Sequence, residues 1–384
     1  MEFIIKSIVK KVDRYFLIKP IDLFLTHFCN SSQYITKGFI RMDVLGDNFV
    51  FFPFLLKYKE LYPNAFWIVN RSIYILYKLL NIKCISIHLW KFRWNPIYRF
   101  QILRKLLFME FDFLINIVPH RAQLEGDEIL KLLRAKEKIC YGNDFILWRN
   151  QNNKICSTVI SYDYNYQERK LSYIHIFKHE RNFFEKLTGI RLAINVREFY
   201  INSLNKLKEI LPLINISKGK KYIVIITDAG SPFRKYKTEN WQVVLNNLPK
   251  NLKIIQLGLN KFPLQHPNLI DLTGKTSLEE AMSIVINASL VIGNETGLTH
   301  LAYLSGIPTV CILGGGHFGR FLPWPEFEDV VKCVYKPMDC FQCGWKCKYV
   351  NLQKGEVPPC ILQIPPESIL EAVEELNEEY KIFV

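Results

Sequence analysis

Two kinds of hydrophobic pattern alternate along the C-terminal half of the chain. Uninterrupted, largely β-branched runs at 221–227, 253–258, 290–293 and 308–313 are typical of strands buried on both faces. Between these runs, apolar residues recur three or four positions apart, which predicts helices with one buried face. Strands that alternate with helices through short connections indicate βαβ units and a parallel sheet. The C-terminal half is therefore predicted to be an α/β domain.

Capping residues predict where two of these helices begin. Thr238 is the expected N-cap of the helix over 238–248. Thr276 and Glu279 form an expected capping box for the helix before the third strand. Pro residues at the start and acidic residues in the first turn predict a last helix over 365–380.

The N-terminal half repeats this pattern less clearly. Strands are predicted at 38–43, 66–70 and 111–118, whereas 156–213 shows weak periodicity and 211–220 is the expected linker. The architecture expected is two similar α/β domains with a cleft between them. Their predicted boundaries are 1–34 for a basic amphipathic extension, 35–214 for the N-terminal domain and 215–384 for the C-terminal domain.

Composition and charge narrow the classes of function. Hydrophobic residues make up 49% of the 384 residues, which excludes a disordered chain. Lys and Arg number 50 against 36 Asp and Glu, a net charge of +14 that favours nucleic acid, an anionic membrane or a phosphorylated small molecule as partner. The basic helix predicted over 1–20 would either lie on an anionic membrane or pack on the first domain. No spanning helix or signal peptide is expected, and ten cysteines then indicate a reducing cytoplasm. If the basic helix lies on a membrane, the chain would be peripheral on the cytoplasmic face of the inner membrane.

Three loops at the carboxyl ends of predicted strands carry candidate chemistry. Asp47, in the loop 44–47, would accept a proton from a substrate hydroxyl or merely cap the following helix. The segment 293–300, GNETGLTH, ends a strand and opens a helix, whose free amides and dipole suit a diphosphate. In the same segment, His300 either faces the pocket or packs in the core. The loop 227–237 clusters cations among small residues, as in a phosphate clamp or a solvated turn.

Together these segments resemble glycosyltransferase family 9, the ADP-heptose:lipopolysaccharide heptosyltransferases. The resemblance rests on IRMDVLGDNFVFFPFL, on TDAGSPFRKYKTENWQVVL and on LTGKTSLEEAMSIVINASLVIGNETGLTHLAYLSGIPTVCILG, in the family's order. It implies the GT-B fold, with two Rossmann-like domains facing across a cleft. It also implies transfer of a sugar, most simply heptose from ADP-heptose, with inversion and without an active-site metal or other cofactor. The acceptor would be a lipopolysaccharide core or a related surface glycan.

The resemblance assigns residue roles, and the chain departs from the family at some of them. Asp47 would be the general base, and Arg234 with Lys235 would hold the diphosphate. The other donor-binding residues implied are Asn260, Glu295, Thr296, Gly297 and His300. Glu295 stands where the family usually has Asp, and Asn260 lies near a position that often carries a ribose-binding Glu. The identity of the nucleotide sugar therefore stays open.

Four cysteines cluster near the C-terminus: Cys340, Cys343, Cys347 and Cys360. Four thiolates at such spacing can close a tetrahedral Zn or Fe site, and some protein-modifying relatives in the family carry cysteine-bound iron. Disulfides and free thiols are the alternatives.

Other functions fit the sequence less well. A heptosyltransferase acting on a protein and a non-catalytic relative are close alternatives. A zinc-knuckle nucleic-acid-binding protein would explain the charge and the cysteines but not the two α/β domains, so no nucleic acid is expected. An oxidoreductase is excluded, because the loop 44–48 has one glycine where a dinucleotide site needs G-x-G-x-x-G.

Overall fold

The computed structural model describes residues 20, 22, 25–26, 33–118, 124–141, 147–150, 175–214, 216, 219–250 and 252–383. Most of the helix predicted over 1–20 lies outside these residues. The contacts divide the chain into two compact units. The first contains the described parts of Met1–Val44, Phe54–Arg169 and Glu180–Arg191, and the second those of Leu45–Pro53, Lys170–His179 and Leu192–Val384. The domain boundaries predicted from the sequence stay predictions.

The first unit is built on a six-stranded sheet in the order β3-β2-β1-β4-β5-β6. Its strands are β1 (Gln33–Arg41), β2 (Phe66–Asn70), β3 (Cys84–Ile87), β4 (Met109–Asn116), β5 (Arg134–Tyr141) and β6 (Leu147–Asn150). All pairs are parallel except β5 with β6. The helices between Leu45 and Thr188 are α1 (Leu45–Leu61), α2 (Tyr74–Leu79), α3 (Leu89–Trp94), α4 (Pro96–Leu107), α5 (Leu124–Leu132) and α6 (Ile176–Thr188).

Both faces of this sheet are covered, which explains the continuous hydrophobic runs of its strands. Phe39 of β1 stacks on Trp67 with ring centroids 4.5 Å apart. Its neighbour Ile40 belongs to the core cluster on the opposite face. At the end of β1, the buried Arg41 bonds to Glu180 at 2.7 Å and pairs with Asp43 at 3.1 Å. The paired carboxylates compensate the guanidinium for its lost hydration.

The second unit has a fully parallel sheet in the order β12-β11-β10-β7-β8-β9. Its strands are β7 (Tyr222–Ile226), β8 (Lys253–Leu257), β9 (Leu269–Asp271), β10 (Leu290–Asn294), β11 (Thr309–Ile312) and β12 (Val331–Val334). Its helices, besides the start of α1, are α7 (Val196–Ile210), α8 (Thr238–Asn247), α9 (Leu278–Ile286), α10 (Gly297–Leu304), α11 (Pro359–Leu362) and α12 (Pro366–Tyr380). The four predicted strands and the last helix are confirmed.

Several local predictions were wrong. Asp47 lies inside the first turn of α1, because that helix already begins at Leu45 after the extended Val44. Thr238 is the first residue of α8, and Lys237 precedes it as N-cap without a side-chain bond. No element was predicted in the weakly periodic 156–213, and the structure has the helices α6 and α7 there.

The capping box of α9 is also displaced by one residue from the prediction. Ser277, in an extended conformation, accepts a hydrogen bond from the backbone N–H of Glu280 at 3.2 Å. The Glu280 carboxylate accepts one from the backbone N–H of Ser277 at 2.7 Å. Thr276 and Ser277 both suit a cap, and only the backbone conformation selects between them.

No helix within the described ranges is both long enough and apolar enough to cross a bilayer.

The displaced capping box can be tested by mutation. Ser277→Ala should lower the free energy of unfolding in urea by about 1 kcal/mol, because the N–H of Glu280 loses its acceptor. Thr276→Ala is the matched control and should change it by only a few tenths of a kcal/mol. If Thr276→Ala lowered the free energy of unfolding more than Ser277→Ala does, the capping box predicted at Thr276 and Glu279 would be supported instead.

Candidate active site

The site lies where β7 and β10 are neighbours in the second sheet although they are distant in sequence. Ligands of open parallel sheets bind beyond the carboxyl ends of strands at such a switch point. The fully buried Asn294 ends β10 and donates a hydrogen bond from Nδ2 to the carbonyl of Thr227 at 2.8 Å. Its Oδ1 accepts one from the backbone N–H of Tyr236 at 3.1 Å. One amide thus fixes both ends of the cationic loop 227–236.

The first turns of α1 and α10 are in contact, and glycines make this contact possible. A Cβ on Gly297 would lie 2.8 Å from Cγ of Leu45, which is too close for any side chain. A Cβ on Gly46 would lie 3.1 Å from the ring of His300. Because each helix start presents free backbone amides and the positive end of a dipole, two anion-attracting termini meet here.

Asp47 is held by a residue that the sequence analysis did not identify. Arg320, which follows the glycine run 314–316, donates from Nη2 to Oδ1 of Asp47 at 2.9 Å. The two side chains are 20% and 13% exposed, so the pair is reachable from solvent. Asp47 is the third residue of α1, and Val44 is the N-cap of that helix. In the sequence, only its position after a predicted strand of the parallel sheet could have marked Arg320 as a candidate site residue.

Glu295 is a buried carboxyl between charged neighbours. It is 2% exposed, and neither carboxylate oxygen has a hydrogen-bond partner among the described residues. Burial raises the pKa of Glu295 to about 7. The arginines Arg234 and Arg320 oppose this rise, and Asp47 adds to it. Near neutral pH the protonated and the ionised forms of the Glu295 carboxyl are therefore both populated.

Arg234 and Lys235 are adjacent but have different partners. Arg234 donates from Nη1 to the carbonyl of Glu295 at 3.4 Å, which places it beside the start of α10. Lys235 pairs with Asp228 at 2.5 Å. The structure therefore places Arg234 at the anion-attracting helix ends and holds Lys235 at a carboxylate.

Asp228 is a second residue that the sequence analysis missed. Its carboxylate accepts hydrogen bonds from the backbone N–H groups of Ala229, Leu259 and Asn260 and from the side-chain amide of Asn260. Burial tends to raise the pKa of Asp228, but Lys235 and these N–H donors hold it below its usual range. Asp228 therefore joins the loops after β7 and β8, and it orients Asn260.

His300 is a packed histidine at the bottom of the site. Its ring stacks on Phe321 at 4.8 Å, and Nδ1 lies 3.3 Å from the hydroxyl of Tyr303. Burial lowers the pKa of His300 to about 3, and the cations Arg234 and Arg320 contribute to this shift. The imidazole is thus neutral at physiological pH. Near it, the Thr296 hydroxyl lies 3.2 Å from that of Thr299.

The four clustered cysteines line one cavity of about 10 Å³, which has room for about one water-sized sphere. The thiols are free, and burial raises the pKa of both Cys343 and Cys360. Across the described residues, no group of three or more His, Cys, Asp or Glu is arranged to hold a metal ion. The four thiols nevertheless line the same cavity.

The cysteine segment packs on the glycine run that precedes Arg320. A Cβ on Gly316 would overlap the ring of Trp345, and one on Gly315 would overlap the ring of Phe341. The backbone N–H of Gly344 donates to the carbonyl of Gly316 at 3.0 Å. The segment around the cysteines therefore supports the loop that carries Arg320.

Comparison with known proteins identifies the family. Residues 148–349, more than half of the chain, match the family model of glycosyltransferase family 9 (heptosyltransferase). The chain belongs to glycosyltransferase family 9. The resemblance noted from the sequence is thus confirmed.

One curated relative of this family 9 member is lipooligosaccharide heptosyltransferase 2 of Campylobacter jejuni subsp. jejuni serotype O:6. It is 24% identical over an alignment of 187 residues, and the match covers 45% of this chain and 56% of that protein. The chain thus matches about half the length of this relative.

Two solved structures show the fold. Escherichia coli heptosyltransferase WaaC with ADP-2-deoxy-2-fluoro heptose superposes with a TM-score of 0.55 at 14% identity, over 88% of this chain and 99% of WaaC. The iron-containing dodecameric glycosyltransferase TibC from enterotoxigenic E. coli H10407 gives 0.50 at 14% identity, over 91% and 78%. The predicted fold class, α/β of the GT-B type, is confirmed.

The buried Glu295 makes stability depend on pH. Its folded pKa of about 7 exceeds the ordinary value of 4.5, so its stabilising protonation is complete below about pH 4.5 and lost as pH rises through 7. Relative to Glu295→Gln, the wild type should lose up to roughly 3 kcal/mol of unfolding free energy between about pH 5 and about pH 8. Urea unfolding at both pH values measures this. Glu374→Gln, at an exposed position of α12, is the control and should follow the wild type. If the unfolding free energy of Glu295→Gln changed with pH in parallel with that of the wild type, the raised pKa of Glu295 would be refuted.

Proposed function

We propose that this family 9 protein is an inverting glycosyltransferase that moves heptose from ADP-heptose to a lipopolysaccharide core or a related surface glycan. The observation that carries the proposal is the position of Asp47. Its carboxylate lies in the first turn of α1, which contacts the first turn of α10, and is paired with Arg320. A base and an anion-attracting site thus adjoin. The donor is proposed by analogy with WaaC, whose structure contains an ADP-heptose analogue.

The leaving diphosphate would be bound by the start of α10 and by Arg234. The free amides near Thr296 and Gly297 attract phosphate oxygens through hydrogen bonds and the helix dipole. Arg234, which bonds the carbonyl of Glu295 next to this turn, adds a positive charge. Negative charge grows on the diphosphate as its bond to the sugar breaks, so these groups stabilise the transition state more than the bound donor.

Asp47 would act as the general base. It removes the proton from an acceptor hydroxyl while that oxygen forms a bond to the anomeric carbon of the sugar. The bond from this carbon to the diphosphate breaks on the opposite face, and the configuration inverts. Arg320 would orient the Asp47 carboxylate through the hydrogen bond from its Nη2 to Oδ1.

Asp47→Asn tests the base. The amide keeps the size of the side chain and an oxygen for Arg320 but cannot take a proton, so kcat should fall by roughly 10² to 10⁴ while the Kd for ADP changes little. Sugar transfer from ADP-heptose and calorimetric titration with ADP measure the two quantities.

The matched control for this test is Asp339→Asn, a substitution at an exposed carboxylate of the second unit, which should behave as wild type. Transfer at the wild-type rate by Asp47→Asn would contradict the proposal. If the wild type bound the nucleotide but transferred no sugar, the protein would be a non-catalytic relative. If GDP or UDP bound more tightly than ADP, the donor would be a sugar linked to that nucleotide instead of ADP-heptose.

We further propose that Cys340, Cys343, Cys347 and Cys360 bind a structural zinc or iron ion. The support is their common cavity and the chemistry of four thiols, which suits either metal. TibC, of the same fold, is described as iron-containing. A bound cation would favour the thiolate form of these cysteines and tie together the segment that packs on Gly315 and Gly316.

Metal analysis of protein purified without oxygen or chelators tests this site. We expect one zinc or iron per chain in the wild type and a loss of most of it in Cys343→Ser, because one thiolate ligand is removed. Cys84→Ser, a partly buried cysteine of the first unit, should retain the metal. A folded wild type that contains no metal and four titratable thiols in this cluster would refute the proposal.

A further inference from the structure

The segment from β3 through α4 is strongly basic. Residues 83–109 contain no Asp or Glu and carry six cations, Lys83, Lys91, Arg93, Arg99, Arg104 and Lys105. Two of them are paired within the unit. Arg93 pairs with Glu125, and Arg99 bonds to Asp22 at 2.7 Å and to Glu128 at 3.1 Å. The carboxylates of Asp22, Glu125 and Glu128 therefore already form ion pairs with Arg93 and Arg99.

The other cations point away from the core. Lys83, Lys91, Arg104 and Lys105 are exposed, and the part of the chain that the structure describes forms no ion pair with them. On α4 the exposed side chains follow one helical stripe: Ile97, Gln101, Arg104, Lys105 and Phe108 at its end. The opposite face of α4 is buried against the sheet. The outward stripe thus mixes cations with apolar side chains.

Large apolar side chains are unusually exposed at the junction of α3 and α4. Trp90 is 66% exposed and Ile97 71%, and Trp94 between them is also exposed. Phe92, two positions from each tryptophan and therefore on the other side of α3, is fully buried and packs in the core. Clustered apolar groups of this size are rare on surfaces that meet only water. We call Trp90, Lys91, Trp94, Ile97, Arg104 and Lys105 the α3–α4 patch.

We propose that the α3–α4 patch binds the surface of an anionic lipid bilayer. Tryptophan is enriched at the level of lipid headgroups because its ring is apolar while its N–H seeks a polar partner. Cations beside it gain from the negative surface of anionic lipids. A patch with both features and no acidic residue matches such a surface in polarity and in charge. The net charge of +14 acts in the same direction.

This inference is independent of the proposed transfer reaction, because lipid binding is measured without donor or acceptor. The full chain is sedimented with vesicles of phosphatidylcholine alone or mixed with phosphatidylglycerol, at low and high salt. We expect binding to the anionic vesicles that weakens as salt rises. The double variant Trp90→Ser/Ile97→Ser should bind them at least tenfold more weakly, and Lys91→Glu/Arg104→Glu should lose the preference for phosphatidylglycerol.

The control is Leu213→Ser/Leu259→Ser, which replaces two apolar residues of the second unit that are even more exposed than Trp90 and Ile97. It should bind vesicles as the wild type does. Circular dichroism and thermal unfolding verify that each variant is folded, which exposed positions allow. No vesicle binding by the wild type would overturn the proposal, and so would wild-type binding by the Trp90→Ser/Ile97→Ser variant. A dimer in solution that only this variant dissociates would assign the patch to a second copy of the chain instead.

Discussion

The side-chain amide of Asn294 is the interaction on which the candidate site depends. It is buried at the end of β10 and makes two hydrogen bonds to the loop after β7, one to the backbone of Thr227 and one to the backbone of Tyr236. A buried amide is costly unless its groups are paired, so these bonds define one loop conformation rather than several. Arg234 belongs to that loop, and its position at the start of α10 follows from the amide.

Charge is distributed unevenly around this anchor. Arg234 and Arg320 approach Glu295 and Asp47, whereas Lys235 is balanced by Asp228. Two cations close to two carboxyls leave the centre nearly neutral before a ligand binds. An incoming diphosphate adds negative charge, which favours the protonated form of Glu295. The site therefore has a group that can adapt its charge to the bound state.

The sequence predicts the parallel sheet of the second unit well, because β-branched runs such as Ile223–Ile226 have few alternatives to a buried strand. It also identifies Asp47 and the segment around Thr296, since both follow strands at the carboxyl edge. Arg320 could not be assigned, because its partner Asp47 is 273 positions away and its own loop has no regular pattern. The role of Asp228 was hidden for a similar reason, since it depends on backbone amides that join two different loops.

The packing of Trp345 and Phe341 on three consecutive glycines links two segments that look independent in sequence. Neither Gly315 nor Gly316 can acquire a side chain while the aromatic rings lie on them. The glycine run and the cysteine segment should therefore be inherited as one unit. Among family members, chains that lost the cysteines and their aromatic neighbours would be free to vary at 315 and 316, so the two features should co-vary in an alignment.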